Sequence, residues 1–207
     1  MALNTINDLN NVQLDTLKEI GNIGQGHAAS ALSSVLNEEI DVDVPEIKIL
    51  DFNDVVNYLG GPENLAVGLF ISLSGEIDGM MLCIMQKQFI DHIVYSIFRK
   101  YVPSLTKLTE MEMSFVTEVG NIQASSYINA IASLAGLNVT LSVPQITVDM
   151  VGAILSVPAV HYAHIGDKVL FIDDSFLISN RKIKSNMILV PELSSLKSLF
   201  SRLGVEI

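Results

Sequence analysis

The residues best suited to chemistry in this 207-residue chain are two asparagines, Asn22 and Asn121, each three positions after a glutamate, Glu19 or Glu118. The two pairs stand 99 residues apart. A small polar residue, Asp15 or Ser114, lies four positions before each glutamate, and a proline, Pro45 or Pro144, lies 23 positions after each asparagine. A carboxamide is a poor acid, base or nucleophile, but its donor end and acceptor end together can orient a water molecule. Phosphoryl transfer depends mostly on such positioning and on electrostatics. A glutamate one turn away can pair with a basic group and set the register of docking. If the phosphoryl group and its metal belong to a partner, this chain needs neither a phosphate loop nor metal ligands, and it would complete an active site in trans.

Three other clusters offer weaker chemistry. Gly21, Gly24 and Gly26 space like a phosphate-cradling loop, but such loops follow a strand and open a helix. These glycines fall within a helical pattern, and the second copy has Gln123 and Ser125 at two of the positions. His161, His164 and Asp167 could offer metal ligands, yet in an extended segment that spacing does not converge and a fuller ligand set is missing. Cys83 lies in a strand-like apolar run, without a base or orienting group beside it, and reads as a buried thiol. As the one cysteine it cannot form an internal disulfide.

The elements that must position the Glu/Asn pairs follow from periodicity. On a wheel of about 100° per residue with Asp15 at zero, Glu19 falls near 40° and Asn22 near −20°. Leu17, Ile20, Gly24, Ala28, Ala31 and Val35 fall between about 140° and 220°, on the opposite side. The second copy places Val116, Val119, Tyr127, Ala130 and Leu134 likewise. The polar triplet therefore faces away from the core. Asparagine in the middle of a helix has poor propensity, and an outward position gives it no packing reward. Its appearance twice beside Glu, while core neighbours drift from Leu17 to Val116 and from Ala28 to Tyr127, points to a functional face. Gly26, Ala29, Ser33, Ser125 and Ala132 continue it with small side chains, which would leave it low enough for another macromolecule to lie against.

Net charge is −11 with 12 Lys plus Arg, and the isoelectric point is about 4.6. Nucleic-acid affinity rests largely on neutralising phosphates, so this balance argues against nucleic acid and against anionic membrane surfaces. Mean hydropathy is +0.44, but no apolar run approaches the ~18 residues of a membrane span. The start lacks the basic and apolar regions of a signal peptide. A soluble cytoplasmic protein fits best.

Taken in order, residues 1–10 read as an uncommitted lead-in and 11–37 as a long amphipathic helix. Residues 40–44 and 47–50 read as extended, with Pro45 at a bulge or edge. A short helix at 52–59 precedes an antiparallel hairpin, 65–73 with 79–85, and a helix at 88–100. The second half repeats the order. Thr109 and Glu112 form a capping box for the second long helix, and 139–143 is a strand. Residues 150–160 take the place of the short helix, 161–165 and 168–172 form strands, 183–190 is another, and a helix at 194–203 closes the chain. The expected fold is α/β, a sandwich with a largely antiparallel sheet and flanking helices, made of two pseudo-two-fold related repeats. We expect a single domain over 1–207, with repeats at about 11–100 and 110–203 intertwined around one core.

The spacing of Asp15, Glu19, Asn22 and Pro45, and again of Ser114, Glu118, Asn121 and Pro144, resembles the signature of the CheC/CheX/FliY family of chemotaxis phosphatases, with the two intact sites of its CheC branch. The resemblance implies hydrolysis of the aspartyl-phosphate of the response regulator CheY, with Asn22 and Asn121 orienting the attacking water and Glu19 and Glu118 pairing with a CheY lysine. It implies docking support from Asp15 and Ser114, and a fold-shaping role for Pro45 and Pro144. It also implies no cofactor in this chain, magnesium held by CheY, and a monomer that binds the receptor deamidase CheD, for which the apolar segment 150–160 is a candidate surface. Two binding-module readings stand beside it: a scaffold similar to the middle domain of the flagellar switch protein FliM, and a binder of CheY-P or CheD without turnover.

Overall fold

A computed structural model describes residues 3, 5–178 and 181–206. The first half runs through helix α1 (Asn11–Leu36), strands β1 (Ile40–Val42) and β2 (Glu46–Asp51), α2 (Phe52–Tyr58), the hairpin β3 (Leu65–Gly75) and β4 (Gly79–Gln86), and α3 (Lys87–Phe98). The second half runs through α4 (Glu110–Ala135), β5 (Val139–Leu141), β6 (Gln145–Met150), α5 (Val151–His161), the hairpin β7 (Lys168–Ile178) and β8 (Arg181–Pro191), and α6 (Leu193–Arg202). The fold is mixed α/β, as the periodicity predicts, and every strand pairing is antiparallel.

Local signals explain the long helices. Asn10 and Gln13 cap α1 reciprocally, each side chain accepting the other's backbone N–H. Thr109 and Glu112 do the same at α4, which satisfies first-turn donors that would otherwise lack partners. Lys100 pairs with the buried Glu112 at 2.8 Å. Burial pushes that carboxyl up, but the bonds from Lys100 and Thr109 outweigh it and hold it below its ordinary value. Each helix ends on a left-handed residue, Asn37 (φ 52°) or Gly136 (φ 63°).

The eight strands form one sheet in the order β1-β7-β8-β4-β3-β5, with β2 also on β7 and β6 also on β3. The halves thus exchange their short strands. β1 and β2 of the first half pair with β7 of the second, while β5 and β6 of the second pair with β3 of the first. Register slips by one residue at each proline. Val42 faces Phe176 and Glu46 faces Asp173, so Asp43, Val44 and Pro45 stand opposite only Asp174 and Ser175. Leu141 faces Leu73 and Gln145 faces Phe70, so Ser142, Val143 and Pro144 stand opposite Ile71 and Ser72. Both prolines sit at β-bulges on edge strands, where the missing N–H costs no ladder bond.

Helices cover both faces of the sheet. On β3 a Cβ at Gly68 would meet Ile154 of α5, whereas the next residue, Leu69, packs on Gly120 of α4. Successive strand residues point to opposite faces, so α4 and α5 lie on opposite sides. α1 packs beside α4, closely enough that a Cβ at Gly24 would stand 2.9 Å from the Tyr127 Cα.

Two segments differ from the expected pattern. The lead-in is integral: Leu3, Ile6 and Leu9 are buried, and the short 3-10 helix Ile6–Asp8 recurs as Leu105–Lys107 before α4. Residues 161–165 are not a strand. α5 continues to His161, and the Tyr162 N–H donates to the Pro158 carbonyl. The second hairpin is β7 with β8, longer than the expected 168–172 and 183–190, because Tyr162 and Ile165 go into the core as anchors of a turn rather than as a strand face.

Gly24→Ala should lower stability by about 1–3 kcal/mol, because the added methyl meets backbone and forces α1 off α4. Gly26→Ala, where a Cβ meets nothing within 4 Å, should raise it by up to about 1 kcal/mol. Urea unfolding of both variants checks the opposite signs.

Candidate functional site

Each Glu/Asn pair stands on the outer side of a long helix whose inner side is locked to the sheet. Gly21, the residue before Asn22, is buried, and a Cβ there would meet Ile47 at 3.2 Å and Pro45 at 3.6 Å. Gly120, the residue before Asn121, lies so close to β3 and β4 that a Cβ would meet Leu69 at 2.4 Å and Met85 at 2.5 Å. The buried Cys83 thiol reaches the Gly120 carbonyl at 3.8 Å. Burial pushes that thiol up to about 12, so it stays protonated and unreactive, as the sequence predicts.

Outward, Asp15, Glu19, Ser114 and Glu118 are exposed and the two asparagines half-buried. Among the described residues, no hydrogen bond or ion pair engages the side chains of Glu19, Asn22, Glu118 or Asn121. Four polar side chains fixed at their backbones and unspent within the fold are free for a partner. The surroundings of the two pairs differ. Lys18 holds Asp15 at 2.9 Å, whereas the second copy has Thr117, whose hydroxyl donates to the Met113 carbonyl, beside Ser114.

The flat continuation expected from small residues is only partly open. Gly26 is unobstructed, but Ala29 is buried, and the Ser33 hydroxyl accepts the Ile40 N–H as the chain folds back toward β1. Val35 and Leu134, on the core side of the wheel, are exposed in the last turns of their helices. The usable face of α1 therefore runs from its first turn through Asn22 to Gly26. Gly21, Gly24 and Gly26 lie inside α1 and serve packing or leave the face low; they open no phosphate loop. His161, His164 and Asp167 do not converge: His164 lies 3.2 Å from Glu192, and among the described residues no group of three or more His, Cys, Asp or Glu could hold a metal ion.

Comparison with known proteins fits this geometry. The CheC-like family matches residues 12–49 and 111–148, the two helix–strand segments that carry the Glu/Asn pairs. The CheY-P phosphatase CheC of Bacillus subtilis (strain 168) is 32% identical over 209 residues, covering 99% of this chain and all of that protein. The chain belongs to the CheC-like family. Among solved structures, Thermotoga maritima FliY superposes with a TM-score of 0.75 at 20% identity, covering 95% of this chain and 98% of that one. The FliM middle domain of H. pylori gives 0.66 at 9% identity, with 94% and 99% covered. At those identities both show a shared fold only.

Beneath the paired helices lies a buried polar cluster that sequence reasoning missed. Tyr127 of α4 donates to Asp174 of β7 at 2.5 Å. Gln25 of α1 donates to the Ser175 carbonyl at 3.2 Å, and Gln123 to the Ser185 hydroxyl at 3.0 Å. The cluster ties both site helices to the second hairpin. Burial pushes the Asp174 carboxyl up to about 7, against the Tyr127 bond, which favours the charged form, and with the help of neighbouring Asp173.

That shift has a pH signature. Below about pH 4 the carboxyl is protonated in folded and unfolded chain alike. Between the ordinary 3.8 and about 7 the folded chain keeps the proton that the unfolded chain releases, so the contribution of Asp174 to stability falls as pH rises through this window and then levels. Urea unfolding at several pH values should show Asp174→Asn gaining on wild type between pH 4 and 7, with the difference flat above about 7.5.

Proposed function

We propose that this chain is a CheY-P phosphatase with two pseudo-symmetric sites. The observation that carries the reading is the Glu/Asn pair, set twice on a rigid helix face, its side chains engaged by no hydrogen bond or ion pair among the described residues. Full-length likeness to the CheY-P phosphatase CheC of Bacillus subtilis supports the choice of substrate. In this mechanism the helix face lies against phosphorylated CheY. The Asn22 or Asn121 side chain holds a water in line with the phosphorus, its amide oxygen accepting from the water and its N–H directed at the attacking oxygen or the phosphoryl group. A new P–O bond forms from the water, the bond to the aspartyl carboxylate breaks, and inorganic phosphate leaves. The amide takes no proton. It supplies orientation, which alone is worth orders of magnitude in rate.

Glu19 and Glu118 pair with a CheY lysine and set the register that places the amide. Asp15 and Ser114 support docking, and Pro45 and Pro144 shape the bulges. The chain contributes no cofactor; magnesium belongs to CheY and neutralises the phosphoryl oxygens there. We assign the work to a cytoplasmic monomer acting as one unit. No helix among the described residues is long and apolar enough to cross a membrane.

Binding of the deamidase CheD belongs to the same proposal. Val160, which is 78% exposed, lines the outer side of α5 with Val157 and Met150. α2, which occupies the corresponding place in the first half, carries Asn53, Asp54 and Asn57. An apolar face on one of two related helices suits a single protein partner.

Likeness to the FliM middle domain favours a second reading, a non-catalytic binding module. A scaffold has no use for a water-orienting amide presented twice, which is why the phosphatase reading is preferred. Phosphate release from phosphorylated CheY separates them. Wild type should exceed CheY's own rate, Asn22→Ala and Asn121→Ala should each remove one site's share, and the double variant should lose about 100-fold or more, down to CheY's own rate, while folding and binding persist. Wild type that never exceeds CheY's own rate makes the chain a binding module.

A further inference from the structure

Exposed large apolar side chains recur between the halves, and one recurring pair lies on the Glu/Asn face. Val12 is 64% exposed and Met111 is 70% exposed, and they stand 99 residues apart. Each precedes its Asp15 or Ser114 by three residues and its Glu19 or Glu118 by seven, so both fall on the side of the helix that carries the polar triplet, near 60° on the wheel. Val35 and Leu134, Val44 and Val143, and Tyr58 and Val157 also recur and are exposed, but the first pair falls near 200°, on the far side, and the others lie outside the two long helices.

Neither Val12 nor Met111 has a structural reason to be apolar. The reciprocal caps at Asn10/Gln13 and Thr109/Glu112 already secure both helix starts. A β-branched valine at an exposed helical position loses rotamer freedom and gains no packing. Single exposed apolar residues are ordinary. The same exposure at the same place in both repeats, in line with two unengaged Glu/Asn pairs, is not accounted for by folding.

Resting on the phosphatase reading, we propose that Val12 and Met111 are the apolar anchors by which each site docks phosphorylated CheY. From anchor to asparagine is ten residues, or about 15 Å along the helix. The glutamate lies between them. Each site is then a three-part stripe: an apolar side chain that fills a hydrophobic spot on the receiver, a carboxylate that meets its cation, and an amide that enters its phospho-aspartate pocket. Transient interfaces concentrate affinity in one or two such buried side chains, with polar contacts around them fixing orientation. The receiver surface that fits is apolar and lies about 15 Å from its phosphorylated aspartate, beyond the lysine. Because the anchor touches neither water nor phosphorus, it acts on association alone.

Each site can be tested by silencing the other. Val12→Ser is made in the Asn121→Ala background, and Met111→Ser in the Asn22→Ala background. Steady-state dephosphorylation of CheY-P should show KM raised about tenfold with kcat unchanged, which is what burying most of one such side chain is worth. Equilibrium binding of CheY loaded with beryllofluoride, which needs no turnover, is read on the double variant Val12→Ser/Met111→Ser, because the asparagine changes leave binding in place, and should weaken by the same factor. Val35→Ser, recurring and exposed but off the face, should change neither. Thermal melts confirm that the variants fold. If the parent accelerates dephosphorylation but Val12→Ser and Met111→Ser match it in KM and in binding, the anchors are wrong and the phosphatase stands. A fall in kcat at constant KM also overturns the docking role. If the parent neither binds nor accelerates, the phosphatase reading falls and the anchors fall with it.

Discussion

Strand exchange between the halves is the constraint on which the rest of the structure depends. Among the described residues the short strands β1 and β2 pair with β7 alone, and β5 and β6 with β3 alone. Neither half can close its own sheet, and the seam where β4 meets β8 joins two strands buried along most of their length. Unpaired edges in a separated half would expose backbone donors and acceptors together with the apolar faces of α1 or α4. The exchange also fixes the two long helices to one body, because α1 lies against β1 and β2, and α4 against β5, short strands that their own halves donate. A site that works by orienting a water needs placement within a fraction of an ångström. In the proposed mechanism that precision comes from the sheet, through Gly21 on Pro45 and Ile47 and through Gly120 on Leu69 and Met85, while the Glu/Asn side chains themselves point away from it.

The prolines illustrate how a residue far from the chemistry becomes part of its signature. Pro45 and Pro144 stand where register slips by one residue, each on an edge strand with no pairing on its outer side. A bulge there bends the strand toward the helix that precedes it. Pro45 reaches Gly21, one residue from Asn22. In the first half the 23-residue spacing therefore measures a path: out along the helix, around its left-handed end, and back to the bulge beneath Gly21; in the second half Gly120 rests on Leu69 and Met85 instead.

Much of this was legible in the sequence because it was written twice. The repeat at 99 residues located both helices, the Thr109/Glu112 cap and the bulge at Pro45, but not the Asn10/Gln13 cap or the Pro144 bulge, and its polar members pointed to the outward face. Reading failed where repetition or periodicity failed. Residues 161–165 alternate like a strand, but they start at the last residue of α5, which runs past the length of its counterpart α2; only Tyr162 and Ile165 of these are buried, and they anchor a turn. The lead-in was too short for any period, although Ile6–Asp8 and Leu105–Lys107 obey the same offset. Ala29 and Ser33 were placed correctly on the helix, but what covers them is the chain returning toward β1, a tertiary event that a wheel does not contain. The Tyr127–Asp174 bond joins residues 47 apart across helix and sheet. Nothing in the spacing of either residue announces it.

The sites are alike in their chemistry-bearing residues and unlike in their neighbours, and physical scale says what that difference can do. Lys18 holds Asp15 in the first site, where the second has Ser114 and Thr117. An exposed pair of this kind is worth at most about 1 kcal/mol and is screened within about 8–10 Å at ordinary salt. Lys18 lies within that range of Glu19, but its charge is matched by Asp15, so the first site, like the second, presents a net single negative charge to the cation that the proposed mechanism brings there. What remains of the difference bears on encounter and leaves water orientation untouched, since the amide geometry is set from the opposite side of the helix. In the proposed mechanism the residues that place the amide recur in both halves while those around them differ, so both sites run the same reaction.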